Sequence, residues 1–385
     1  MQENKRPRVV FPFVEAGMGH IMPMRAVSDA FEKKYGDRVE VIKTYFFQDT
    51  NNPDMKYVED ELIKEVKRHN KNRLNGFYQF LLMSIFRTRI SMKFLHQVRY
   101  KRGFKPSMEY LKSLDADLIF NTHFSTLHYA CELRAKGQSN AKIITFCPDP
   151  IVGLQWDNRC DLMLLSGSNG VKKAQRFGRF KPEQIQEVPF LIRKEIEEYN
   201  KGKQYYRKEL DIPQDNFTIL LADGAYGAGK LKDTVYELLK SKLNLTIIAV
   251  CGKNEELYQE FQKITPPDNI VFRPYGFTDK MLMFSAACDL FIGKAGASNL
   301  AEPAYFGVPT IVTFCATPIE KWICDHYRRN GCAIKVNSVK KAVALAESFA
   351  QNPELMEPYI QAAKAQSRSD GADVIADLIF EQLYK

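Results

Sequence analysis

Residues 289–313, DLFIGKAGASNLAEPAYFGVPTIVT, constrain the fold of this chain more than any other segment. The segment opens with an apolar run at 289–292, long enough for a buried strand, and continues into a loop of small residues at 293–299. A short helical stretch then stops at Gly-Val-Pro before a second apolar run at 310–314. A strand, a tight loop and a helix N-terminus present free backbone N–H groups to an anion. The segment therefore predicts a nucleotide-diphosphate site.

Two charged side chains favour this prediction over the alternative that the loop only turns the chain. Lys294 would place a positive charge beside the diphosphate, and Glu302 lies in the first helical turn, where it could face the same pocket. The loop itself would supply further donor contacts. These contacts are predicted at Gly296, Ala297, Ser298 and Asn299.

The pattern K-A-G-x-S-x-x-A-E-P-x-x-x-G-V-P-T-I-V in this segment resembles the donor-site signature of inverting glycosyltransferases with the GT-B architecture. It resembles most strongly the monogalactosyldiacylglycerol synthases and processive diacylglycerol glucosyltransferases, and more distantly the peptidoglycan lipid-linked N-acetylglucosaminyl transferase. The resemblance implies an α/β fold of two facing Rossmann-like domains, with a C-terminal helix that crosses back to the N-terminal domain. It also implies that Glu302 holds the ribose diol of a UDP-sugar.

The length of the chain supports two domains, because 385 residues exceed what one ordinary hydrophobic core organises. A strongly charged stretch at 195–209 is the predicted position of the connection. We therefore expect an acceptor and membrane domain at 1–193, with residues 366–385 packed back on it, and a nucleotide-sugar donor domain at 194–365.

The N-terminal half begins with a βαβ unit around a second glycine loop. Residues 8–14 are predicted as a strand, EAGMGH at 15–20 as the loop, and 21–35 as a helix with apolar residues on one face. Met22 stands where the third glycine of the dinucleotide fingerprint belongs, which argues against dinucleotide binding.

His20 closes this loop at the carboxyl end of the first strand, where open α/β sheets place their ligands. An imidazole there could take a proton from an acceptor hydroxyl; the alternative is a histidine that only fills the helix start. The sequence A-G-x-G-H at 16–20 also resembles the loop that carries the proposed catalytic histidine of the lipid glycosyltransferases. Gly17 and Gly19 are accordingly predicted at the acceptor site.

A loop after a later strand, CPDPIVGLQWDN at 147–158, supplies further acceptor-side candidates. Asp149 and Trp156 match by position the loop carboxylate and the tryptophan of the family that the chain resembles, whereas Asn158 stands where that family usually has a histidine. Asp149 is predicted to orient His20, with an ordinary turn residue as the alternative. Trp156 is predicted to line the acceptor pocket, with a core position as the alternative.

Two further segments of the second half are predicted to contact the donor. DGAYGAGK at 223–230 is not a P-loop, because Leu231 stands where Ser or Thr is required, but its backbone could cradle a diphosphate at Gly224 and Gly227. The strand and turn at 269–277 would face the nucleotide base, with the aromatic ring of Phe277 beside it.

The segment CATPIEKWIC at 315–324 is compared with the sugar-contacting motif of the same family. Glu320 and Lys321 match that motif, in which the acidic residue touches hydroxyls of the donor sugar. Ile319 and Ile323 replace its usual Gln and Asn. The identity of the donor sugar therefore stays open between glucose and galactose.

Positive charge is concentrated in one segment. The formal net charge is +9, and residues 66–106 contain eleven lysines and arginines and no acid. Their centre, GFYQFLLMSIF at 76–86, is too short to span a bilayer and has the composition of a helix that lies in a membrane interface. A solvated basic face, a buried helix and a nucleic-acid patch are the alternatives. The predicted membrane residues are Phe77, Phe80, Phe86, Arg87, Arg89 and Lys93.

Several functional classes are disfavoured. The N-terminus lacks the apolar core of a secretory signal, and no run reaches the roughly 18 apolar residues of a spanning helix. The eight scattered cysteines predict reduced thiols in the cytosol. Asp115 and Asp117 have the spacing of a metal-binding D-x-D motif, but we interpret them as the end of a loop before a buried strand and predict no metal.

The sequence thus predicts an inverting, metal-independent glycosyltransferase without a cofactor, which moves glucose or galactose from a UDP-sugar to a membrane glycerolipid such as diacylglycerol. Its expected partners are the UDP-hexose, the lipid acceptor and an anionic membrane surface, and no nucleic acid. The expected location is peripheral, on the cytoplasmic face of the cell membrane. The alternatives are a polyprenyl-linked or soluble acceptor on the same fold, and a catalytically inactive membrane-bound binding protein.

Overall fold

A computed structural model describes residues 5–15, 18–71, 98, 100–148, 152, 155–176, 178–224, 229–316, 318–366 and 368–385. The chain divides into two compact units, the first made of Met1–Arg193 and Asp370–Lys385 and the second of Lys194–Ser369. The sequence predicts domains at 1–193 with 366–385, and at 194–365; that division stays a prediction.

The first unit is a parallel sheet covered by helices. Its strands are β1 (Arg8–Phe13), β2 (Glu40–Tyr45), β3 (Leu118–Asn121), β4 (Lys142–Cys147), β5 (Leu162–Ser166) and β6 (Ile185–Val188), in the order β2-β1-β3-β4-β5-β6. Its helices among the described residues, before the C-terminal one, are α1 (Met18–Tyr35), α2 (Pro53–Lys71), α3 (Lys101–Ser113), α4 (Phe124–Ala135), α5 (Ser168–Arg176) and the 3-10 turn Pro182–Gln184.

The second unit repeats this architecture. Its strands are β7 (Phe217–Ala222), β8 (Leu245–Val250), β9 (Ile270–Tyr275), β10 (Leu290–Lys294), β11 (Thr310–Phe314) and β12 (Ala333–Lys335), in the order β12-β11-β10-β7-β8-β9. Its helices among the described residues are α6 (Lys203–Glu209), α7 (Leu231–Leu238), α8 (Glu255–Gln262), α9 (Met281–Ala287), α10 (Ala297–Tyr305), α11 (Pro318–Arg329), α12 (Val339–Gln351), α13 (Glu357–Gln366) and the 3-10 turns Lys194–Glu198 and Pro353–Met356.

The last helix, α14 (Gly371–Leu383), packs on the first unit, as predicted. Its apolar side contributes Ile375 and Ile379, both fully buried, to the same core as the inner face of α1. The ring of Tyr35 stacks on Phe380 with centroids 4.1 Å apart, and its hydroxyl donates to Asp377 at 2.6 Å. This hydrogen bond, together with burial, raises the pKa of Tyr35 to about 12.

The predicted class, α/β with two Rossmann-like units, is confirmed by these sheets. Strands such as β8, in which all six residues are buried, read as continuous apolar runs because helices cover both faces of a parallel sheet. Pro12 does not interrupt β1, because the ladder with β3 involves only Val9 and Val10 and needs no N–H from Pro12.

Two helices begin earlier than the sequence pattern predicts. Helix α1 begins at Met18, so that Gly19 and His20 lie in its first turn and not in the loop. Helix α10 begins at Ala297, and β10 extends to Lys294, which shortens the predicted loop to two residues. Gly, Ala and Ser carry no apolar periodicity, so neither start was visible in the sequence. No helix in the described ranges is long and apolar enough to cross a membrane.

Candidate active site

A half-buried histidine lies at the carboxyl edge of the first sheet. Nδ1 of His20 is 2.6 Å from the backbone oxygen of Thr122, and the Thr122 hydroxyl donates to the backbone oxygen of His20 at 2.9 Å. A carbonyl oxygen can only accept, so the ring proton resides on Nδ1 and the lone pair of the neutral ring is on Nε2. Among the described residues, Nε2 makes no hydrogen bond. His20 is therefore in the tautomer of a general base.

A second histidine supports this arrangement. His123 is buried, and its ring meets that of His20 edge to face, with centroids 4.8 Å apart. Its Nδ1 accepts the backbone N–H of Ser125 and thereby caps α4. The cap fixes the Thr122–His123 turn from which the carbonyl reaches His20. Sequence reasoning missed Thr122, because a backbone contact leaves no residue-type signal.

The structure describes only some of the other acceptor-side candidates. Gly17 and Asp149 lie outside the described residues, and Gly19 shares the first turn of α1 with His20. Trp156 is buried at 2% exposure within the main apolar cluster of the first unit, the position that its core alternative requires. The predicted membrane residues Phe77, Phe80, Phe86, Arg87, Arg89 and Lys93 also lie outside the described residues.

Buried charges anchor the chain directly after Trp156. Asp157 accepts from Arg159 at 2.8 Å, and its other oxygen is 3.4 Å from Nδ1 of His128. Arg159 also reaches Glu132 at 2.8 Å. Burial raises the pKa of Asp157, but the hydrogen bonds from Arg159 and His128 outweigh it and hold that pKa below its usual range. The charged carboxylate is thus a fixed structural anchor.

In the second unit, an ion pair lies at the carboxyl ends of neighbouring strands. Nζ of Lys294, the last residue of β10, is 2.7 Å from Oε1 of Glu320. The β10–β11 register shifts at Gly293 and Lys294, an irregularity of the kind that re-aims a side chain beside an active site. Gly224 has a φ of +78°, and a Cβ there would lie 3.5 Å from the Lys294 ammonium. The two predicted donor segments therefore meet at Lys294.

The first turn of α10 supplies backbone donors next to Lys294. The N–H of Leu300 is the first to bond within the helix, to Gly296, so the N–H groups of Ala297, Ser298 and Asn299 have no intrahelical acceptor. The Asn299 amide donates to the backbone oxygens of Ala222 and Lys294 and joins α10 to both strands. This end of the helix can bind an anion.

The segment 223–230 does not offer a second such helix end. Oδ2 of Asp223 accepts the backbone N–H of Leu231 at 2.7 Å, so the protein's own carboxylate occupies the N-terminus of α7. Burial raises the pKa of Asp223, while the N–H groups of Leu231 and Lys230 and the charge of Lys294 act against that rise. Of the two predicted contacts here, Gly224 lies beside Lys294 and Gly227 is outside the described residues.

The remaining donor candidates lie on separate elements of the second unit. Phe277 is 71% exposed just after β9, and the Lys253 ammonium lies 5.5 Å from its ring centroid, so a flat base could stack there. Glu302 is buried within α10 and Lys321 is exposed on α11. Ile323 is buried at 6% exposure, so its replacement of a polar residue is accommodated by core packing.

The cysteines and the D-x-D carboxylates are two further sets of side chains that the sequence singled out. All eight cysteines are free and seven are buried; Cys315 is half-buried, and a hydrogen bond from Cys324 lowers its pKa to about 7. Asp117 accepts the backbone N–H of Arg8 at 2.8 Å, and Asp115 pairs with Lys5 and Arg8. The D-x-D carboxylates thus hold the start of β1.

The chain is similar to known protein sequences, and part of its second unit matches a protein family. Residues 218–342 match the glycosyltransferase family 28 C-terminal domain. The chain is 23% identical over 395 residues to a probable chloroplastic monogalactosyldiacylglycerol synthase of Nicotiana tabacum, covering 96% of this chain and 69% of the relative. It is 22% identical over 379 residues to the processive diacylglycerol beta-glucosyltransferase of Bacillus thuringiensis, covering 98% and 94%.

Comparison with solved structures agrees on the fold. MurG of Acinetobacter baumannii aligns with a TM-score of 0.63 at 16% identity, covering 98% of this chain and all of that one. HepE of Anabaena, solved in complex with UDP, aligns with a TM-score of 0.56 at 11% identity, covering 98% and 99%. The predicted resemblance is confirmed, as are the GT-B fold and the prediction of a glycosyltransferase.

Proposed function

We propose that this protein is an inverting, metal-independent transferase that moves glucose or galactose from a UDP-sugar to a membrane glycerolipid such as diacylglycerol. The observation that carries the proposal is the hydrogen bond from Nδ1 of His20 to the Thr122 carbonyl, which leaves Nε2 to accept a proton. The acceptor class is supported by relatives that are named for diacylglycerol glucosylation and monogalactosyldiacylglycerol synthesis. UDP as the donor nucleotide is supported by the HepE complex.

In the proposed reaction, the acceptor hydroxyl attacks the anomeric carbon from the side opposite the diphosphate. The new glycosidic bond forms as the bond to the diphosphate oxygen breaks, and the anomeric configuration inverts. The hydroxyl proton passes to Nε2 of His20, and UDP leaves with the electron pair. Lys294 and the first-turn N–H groups of α10 would stabilise the charge on UDP, the role that a divalent cation has in metal-dependent transferases.

The basic segment 66–106 supports a proposed attachment to the membrane surface. Each cation near an anionic leaflet contributes about 1 kcal/mol to binding, and insertion of the apolar centre at 76–86 adds to it. The proposed location is therefore peripheral, on the cytoplasmic face of the membrane, where anionic lipids and nucleotide sugars are both accessible.

Product analysis tests the acceptor. The protein is incubated with radiolabelled UDP-glucose or UDP-galactose and anionic vesicles that contain diacylglycerol, and the label is then measured in the organic extract. Label in the lipid fraction supports the proposal, and NMR of the product should show an anomeric configuration opposite to that of the donor.

Matched acceptors and variants sharpen the result. Vesicles with a polyprenyl-linked sugar, or a soluble acceptor without vesicles, should yield no labelled product; transfer to either one alone would contradict the proposed lipid. Replacement of Arg87, Arg89 and Lys93 by glutamine should reduce both vesicle flotation and transfer. If the protein floats with the vesicles but transfers sugar to none of these acceptors, a catalytically inactive membrane-bound binding protein explains the results better.

A further inference from the structure

Three polar side chains meet beside the segment that leads to His20. Glu15 lies two residues after β1, Gln48 lies in the turn after β2, and Glu59 is on α2. The amide nitrogen of Gln48 donates to Oε2 of Glu15 at 3.0 Å and to Oε1 of Glu59 at 3.1 Å. An amide NH₂ group has two protons, so this one side chain bridges the two carboxylates.

Glu59 also contacts the backbone of this segment. It is buried at 6% exposure and accepts the backbone N–H of Glu15. Burial raises the pKa of Glu59, the hydrogen bonds from Gln48 and from the Glu15 backbone act against that rise, and the charges of Glu15 and Asp60 add to it. A carboxylate this deeply buried needs such hydrogen bonds, because a buried charge without partners is costly. The two donors to Glu59 thus both lie at the carboxyl edge of the first sheet.

The elements that carry Glu59 and Gln48 are themselves held in place. Helix α3 packs so closely on α2 at Gly103 that an added Cβ would lie 2.8 Å from the backbone oxygen of Asp54. In the turn after β2, the Asp49 carboxylate accepts the backbone N–H of Tyr45 at 2.9 Å. The bridge therefore connects Glu15 to two fixed parts of the first unit.

The bridge lies close to His20 along the chain. Only two residues separate Glu15 from the start of α1 at Met18, and His20 lies in the first turn of that helix. On its other side, the imidazole is held by the Thr122 carbonyl through Nδ1. The position of a reacting group matters greatly, since a displacement of about 1 Å can lower a rate by roughly 10²-fold.

We propose that Glu59 and Gln48 are positioning residues, which hold Glu15 and thereby place His20 for proton transfer from the acceptor hydroxyl. This inference rests on the proposed function and deepens it. The proposed donor contacts lie in the second unit, so loss of the bridge should lower the rate of transfer and leave the affinity for the UDP-sugar unchanged.

UDP release from a UDP-hexose with diacylglycerol vesicles, measured for wild type and variants, tests this proposal. Glu59→Ala removes the acceptor of the Glu15 N–H and should lower kcat about 10- to 100-fold with an unchanged KM for the UDP-sugar. Gln48→Met removes only the bridging amide and should lower kcat about three- to tenfold, the range of one hydrogen bond. Because both variants act through Glu15, the double variant should lose less than the product of the two single losses. Losses that multiply would overturn the proposal.

A matched control separates positioning from stability. Leu62→Ala removes buried apolar volume from the same helix and none of these hydrogen bonds, so it should lower the urea midpoint and keep kcat. A purely structural Glu59 would behave in the same way, and a folded, destabilised and fully active E59A would overturn the proposal. If E59A does not fold, Q48M decides, because Gln48 is exposed; an unchanged kcat of Q48M then overturns it.

Hydrogen exchange of the Glu15 amide separates this inference from the proposed function. E59A should accelerate that exchange roughly tenfold, because the N–H loses its acceptor, whereas L62A should leave it nearly unchanged. Unchanged exchange in E59A, with an active wild type, overturns only this inference. Absence of UDP release by wild type from either UDP-hexose overturns the proposed function and, with it, the catalytic role of the bridge.

Discussion

The ring of His20 is oriented by a backbone group 102 residues away, the carbonyl oxygen of Thr122, which lies 2.6 Å from Nδ1. The reciprocal bond from the Thr122 hydroxyl to the His20 carbonyl joins the first turn of α1 to the end of β3. Two hydrogen bonds thus fix both the position and the tautomer of the imidazole. Such an arrangement suits a base that must present Nε2 to a substrate.

Replacement of His20 by alanine should lower the transfer rate by roughly 10²- to 10⁴-fold, the usual contribution of a general base. The affinity for UDP should not change, because the proposed donor contacts lie in the second unit. Steady-state kinetics and calorimetry measure the two quantities. Lys33→Ala, an exposed change on the same helix, is the matched control and should keep full activity. A fall in UDP affinity together with the rate would contradict the assignment.

Two glycines three residues apart in the predicted donor segment should respond differently to alanine. A Cβ on Gly293 would lie 2.1 Å from the backbone oxygen of Ala222, and the β10–β7 ladder cannot move aside, so Gly293→Ala should lower the free energy of unfolding by about 1–3 kcal/mol. A Cβ on Gly296 meets nothing closer than 3.7 Å, so Gly296→Ala should cost less than about 1 kcal/mol. Urea unfolding followed by circular dichroism compares them, and equal losses would contradict the packing.

Much of the fold was predictable because its strands are buried on both faces. Residues 217–222, 245–250 and 310–314 are apolar runs in the sequence and became β7, β8 and β11 with those bounds. The starts of α1 and α10 were not predictable, since glycine, alanine and serine give no periodic signal. The hydrogen bond from the Leu231 N–H at the start of α7 to Asp223 was not predictable either, because the two residues lie eight positions apart and only folding brings them together.

The same limit applies to the candidate site. Lys294 and Glu320 were both predicted from sequence, but as separate contacts to diphosphate and sugar. Their ion pair starts from Lys294, the residue at which the β10–β11 register shifts, and the sequence reveals neither the shift nor the pair. Trp156 was predicted at the acceptor pocket, with a core position as the alternative, and it is buried in the core. The sequence could not decide between the two, because an indole suits either position.

The buried carboxylate of Asp223 should make stability depend on pH. Burial raises its pKa in the folded state, so the folded protein binds the proton more tightly than the unfolded chain does. The contribution of this group is therefore most favourable below the ordinary Asp pKa and is lost as the pH rises through the folded value. Asp223→Asn keeps an oxygen for the Leu231 N–H without the charge. The free energy of unfolding of Asp223→Asn relative to wild type, compared through urea midpoints, should increase from pH 4 to pH 7. A difference that stays constant or decreases over this range would be inconsistent with a raised pKa of Asp223.

Cys315 should be the most reactive thiol of the protein. Its pKa is lowered to about 7 by the hydrogen bond from Cys324, and the seven other cysteines are buried. Because the thiolate is the nucleophile, alkylation by iodoacetamide should rise with pH through a midpoint near 7. Peptide mass spectrometry identifies the modified residue. Cys324→Ala should move the midpoint up towards the ordinary thiol range, and an unchanged midpoint would show that Cys324 has no such effect.

The most direct test of the central proposal is UDP release from UDP-glucose and UDP-galactose by wild type and His20→Ala, with and without diacylglycerol vesicles. We predict release from at least one donor that requires both the vesicles and His20. Equal release without vesicles, or undiminished release by His20→Ala, would contradict a lipid glycosyltransferase that uses this histidine as its base.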